Sequence, residues 1–170
     1  MNNSELSTTL TTLFSELLDG AHRRHTYMLN VGDDGLLASL DKLSADAVSR
    51  THAGGASIAA HVDHLRYGLS LMNRWHEGEE NPWKDADWTA SWRKTNVTEA
   101  EWSRLRAELR QEAHRFLETL AAPRELNERQ LTALVSNIPH LAYHLGAIRQ
   151  IDRALRGPTA EEEVAAKKAR

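Results

Sequence analysis

Leu6, Leu10, Leu13, Phe14, Leu17 and Leu18 recur three and four positions apart. That spacing marks one face of a helix and predicts an amphipathic helix over residues 5 to about 19, open to extension past Gly20. Gly32-Asp-Asp-Gly35 breaks the chain, a short helix is expected around Leu36 to Leu43, and the loop after it closes on Gly54-Gly55. Ser57 is a good N-cap for a second long helix ending at about His76, near Gly78. Its apolar face is Ile58, Val62, Leu65, Leu69 and Met72, with His61, His64, Gly68, Leu71 and Trp75 on the flank.

Residues 79–97 carry Trp83, Trp88 and Trp92 with little periodicity. A connection of that length is usually functional or packed as a lid. Thr98 and Glu101 form a capping box that opens a third long helix, which stops before Pro123. Asn127 and Gln130 cap another helical stretch. Pro139 then either kinks one continuous helix or marks the first turn of a new one, and the final run is expected to end at Gly157-Pro158. Four long helices without a convincing strand predict an all-α fold, a four-helix bundle in a single domain over residues 1–158. The charged tail, residues 159–170, is expected to be disordered.

Composition narrows the function more than the fold. The 170 residues carry a net charge of −3, a size at which one domain buries a sizeable core. There is no cysteine, so the chain has no disulfide and no thiolate nucleophile of its own. Met1-Asn-Asn-Ser lacks a basic region followed by an apolar run, and no stretch reaches the roughly 18 apolar residues of a membrane span. A soluble cytoplasmic protein is therefore expected. Arg104, Arg106, Arg110 and Arg115 alternate with Glu101, Glu108, Glu112 and Glu118. This is the pattern of a solvated helix face and gives no reason to expect nucleic acid as a partner.

The remaining chemistry lies in histidines. Nine of them among 170 residues would by chance give about 0.4 pairs at any chosen spacing, so position says more than spacing. Ile138, Leu141, Leu145, Ile148, Ile151 and Leu155 form one stripe, with His144 inside it and His140 at its edge. Residues four apart stand one turn above each other, so these two rings can reach one ion together. An imidazole aimed into a core needs a partner, because leaving it unsatisfied costs about 1 to 3 kcal/mol. A facing helix would supply a third ring from His61 or His64. By angle His61 is nearer the centre of its apolar face, and periodicity does not choose between them.

Ser57-Ile58-Ala59 leading to His64-Leu65, together with His140-x-x-Tyr143-His144-x-Gly146 and Ile148, resembles the DinB/YfiT-like superfamily of four-helix bundles. The resemblance follows the element order from the first helix to Gly157. It implies a divalent metal, nickel or zinc, held by His64, His140 and His144, and it implies a homodimer. Three imidazoles leave a coordination position open, as in catalytic metal sites. Two chemistries then fit: activation of water, as in a hydrolase, or presentation of a small thiol to an electrophile, as in the S-transferases among the relatives. Either acts on a small-molecule substrate. Asp63 and Asp152 are candidates to orient a ligand imidazole. A third reading is a non-catalytic dimeric bundle that binds metal or ligand in a stress response.

Overall fold

The computed structural model describes residues 3–21, 25–51 and 54–168. Its regular elements are all helical: α1 (Asn3–Asp19), α2 (Gly35–Asp41), α3 (Ala45–Ser49), α4 (Ile58–His76), α5 (Glu99–Ala121), α6 (Glu128–Ile151) and α7 (Ala160–Lys168), with short 3-10 turns at Ser91–Arg93 and Arg153–Leu155. The chain packs as two compact units, residues 1–41 with 123–170, and residues 42–122.

In the first unit α1 packs on α2 and on α6. Leu10, Phe14, Leu17 and Leu18 on α1, Leu36 and Leu40 on α2, and Leu134, Ile138, Leu141, Leu145 and Ile148 on α6 are all buried, the faces that periodicity assigns. α1 does not continue past Gly20. That glycine takes φ 101°, the left-handed conformation that ends a helix without a Cβ penalty. The next loop is drawn in by Glu16, a buried carboxylate that accepts backbone N–H bonds from Tyr27, Met28 and Leu29, the last two at 2.7 Å. Such bonds offset the desolvation of a buried charge.

The end of α6 is earlier than Gly157. Asp152 leaves helical geometry, and its side chain accepts from the Ala154 N–H at 3.0 Å to start a 3-10 turn. The tail also differs from expectation, because residues 160–168 form α7. Thr159 and Glu162 cap it reciprocally, Thr159 N–H donating to Glu162 at 2.7 Å and Glu162 N–H to Thr159 Oγ1 at 3.2 Å, while Arg156 forks onto the same carboxylate.

In the second unit α4 packs mainly on α5, and α3 packs on α4. Where the sequence predicts a loop, α3 forms, and Ser44 caps it by accepting from the Ala47 N–H. Ser57 caps α4 as predicted, accepting from the Ala60 N–H at 3.1 Å, and its hydroxyl also donates to the Lys94 carbonyl at 2.9 Å. One side chain thus starts the helix and fastens the end of the tryptophan-bearing connection to it. Thr98 and Glu101 form the expected capping box on α5. Trp102 is fully buried, with its indole N–H donating to the Leu43 carbonyl at 2.8 Å.

Candidate metal centre

α6 runs unbroken through Pro139, so His140 and His144 belong to one helix and not to the first turn of a new one. Pro139 is exposed, where the carbonyl released by its missing N–H can turn to water. One turn apart, the two rings meet nearly at right angles, centroids 4.6 Å apart. Their Nε2 atoms are 3.0 Å apart. Two nitrogens this close either share a proton or direct their lone pairs at one cation. His144 is 2 % exposed, at the centre of the α6 stripe, and the edge of Tyr143 stands against it at 5.1 Å. His140 is half-buried, and burial pushes its pKa below the ordinary histidine value. The neutral form that ligates metals is therefore favoured there.

On α4 the two candidate histidines have different surroundings. His61 is buried, its pKa lowered by burial, and its ring meets Trp92 edge-on at 5.3 Å. His64 is half-buried and lies against Trp92 in a near-parallel stack, 4.7 Å and 29°, with Trp88 at 5.8 Å. His61 and His64 belong to the second unit, and His140 and His144 to the first.

The donor set fits a divalent ion. With metal–nitrogen bonds near 2.1 Å, two ligand nitrogens stand about 3.0 to 3.4 Å apart at angles between 90° and tetrahedral. The His140–His144 pair already has that separation. The carboxylates considered as orienting groups are engaged elsewhere. Asp63 pairs with Arg66 at 3.1 Å and Lys94 at 3.8 Å, and Asp152 caps the 3-10 turn. What sequence reasoning left undecided is the part Trp88 and Trp92 play: their i, i+4 spacing was visible, but not that both rings would meet His64.

No family model matches the chain, and neither a curated protein nor a solved structure does.

Proposed function

We propose that His64, His140 and His144 bind one divalent cation, zinc or nickel, and that the chain is a cytoplasmic, homodimeric metal-dependent enzyme of the DinB/YfiT-like four-helix-bundle type. The observation that carries this reading is the His140 and His144 pair on α6, whose Nε2 atoms already stand at ligand spacing, 3.0 Å apart. A cation with three imidazole ligands and an open position supplies Lewis acidity toward water or toward a small thiol. The first use makes the protein a hydrolase and the second an S-transferase whose thiol is borrowed, in keeping with a chain that has no cysteine.

The protein's own side chains supply the holding. Burial lowers the pKa of His140 and so favours its neutral ring, and His144 is buried within its helix stripe, which limits the directions its ring can face. The stacked indole of Trp92 restricts the ring of His64 in the same way.

Turnover of ester and amide panels, and of electrophiles with a low-molecular-weight thiol, should appear on reconstitution with zinc or nickel. It should vanish on chelation and in His140→Ala. Stoichiometric metal with no turnover in either panel would replace this reading with a non-catalytic metal-binding bundle.

A further inference from the structure

The five tryptophans divide sharply by environment. Trp102 is fully buried, and Trp75 and Trp83 pack on each other at 5.1 Å. Trp88 and Trp92 are 40 % and 38 % exposed, and these are the two that meet the ring of His64. Trp88 also meets Tyr67 of α4 edge-on at 5.7 Å. Large exposed aromatics grouped at one place mark binding surfaces.

The connection that carries them is built, not slack. Asp87 Oδ1 accepts from the Thr89 N–H at 2.9 Å, the Thr89 hydroxyl at 2.6 Å and the Ala90 N–H at 3.1 Å, and Oδ2 accepts from Arg93 at 2.8 Å. At its other end the Lys94 carbonyl is held by Ser57. The neighbouring cations are balanced, Arg93 by Asp87 and Lys94 by Asp63. Recognition at this wall therefore comes from ring faces and not from net charge.

We propose that Trp88, Trp92 and Tyr67 form the substrate wall of the His64 site and that it takes a neutral planar aromatic group. This rests on the functional reading above for the reaction, while the wall itself stands on α4 and the connection alone. Flat rings gain stacking and edge-to-face contacts on indoles that a saturated ring of the same size does not.

The test is a titration of protein labelled with 15N at the indoles, using benzamide and cyclohexanecarboxamide as probes. Benzamide should shift the Trp88 and Trp92 signals saturably and leave Trp102 unmoved, with cyclohexanecarboxamide binding at least fivefold more weakly. Trp88→Leu and Trp92→Leu should each weaken benzamide at least fivefold and Trp83→Leu should not, circular dichroism confirming that all three fold. No saturable shift up to the solubility of benzamide, equal binding of the two amides, or full binding by both Leu variants would overturn the proposal. Run on the chelated protein and on His140→Ala, the titration separates the two readings. Binding that persists without metal supports the wall whatever becomes of the enzyme, and bound metal without indole shifts sinks the wall alone.

Discussion

A carboxylate removed from water must be met by donors, and Asp33, 2 % exposed, is met by two. Its Oδ1 accepts from the Gly35 N–H at 2.8 Å and from Arg149 of α6 at 2.6 Å. The space beside it is filled, since a Cβ at Gly157 would come within 1.7 Å of Oδ2. Removing one partner of such a pair strands a buried charge, so Arg149→Met should destabilise the protein by about 3 kcal/mol in urea denaturation. A loss below about 0.5 kcal/mol would show that the pair behaves like an exposed one. Nothing in local sequence marks this contact, because Asp33 and Arg149 are brought together only by the packing of α6 on α1. The same limit applies to the histidines. The i, i+4 relation of His140 and His144 was legible from helix geometry, whereas periodicity does not choose between His61 and His64, because both stand on or beside the apolar face of α4.

Helix boundaries were legible wherever local chemistry decides them. Ser57, the Thr98/Glu101 box and the Asn127/Gln130 box all cap as expected, since a cap needs only side chains within three residues of the helix start. Ser44 and the Thr159/Glu162 pair use the same chemistry at α3 and α7, helices too short or too charged to show an apolar repeat. Pro139 was ambiguous in sequence, for a proline on an exposed side can sit inside a helix. The α7 cap has a pH signature. Its donors lower the Glu162 carboxyl from 4.5 to about 2, the largest cause being Arg156. A depressed carboxyl adds stability that is fully present above the unfolded value and is lost as pH falls through the folded one. Hydrogen-exchange protection of α7 should therefore hold at pH 6 and disappear between about pH 4.5 and 2. Protection unchanged across that window would show that Glu162 does not hold the helix.

At the scale of the molecule the all-helical class was readable from the repeat of apolar positions, and among the described residues no strand appears. No helix there is long and apolar enough to cross a membrane. The acids and bases of α5 meet in pairs, Arg115 with Glu112 at 3.0 Å and Arg104 with Glu108 at 3.9 Å, as their alternation suggests. What periodicity could not supply is the third ligand of the His140 and His144 pair, and on that the functional account depends. The direct measurement is metal content by inductively coupled plasma mass spectrometry on untagged protein exposed to zinc and nickel, wild type beside His61→Ala, His64→Ala and His144→Ala. The account predicts near-stoichiometric metal in wild type and His61→Ala and its loss in the other two. Wild-type protein that takes up neither metal, or a His64→Ala protein that keeps it, would contradict the account and return these histidines to the packing of the helices.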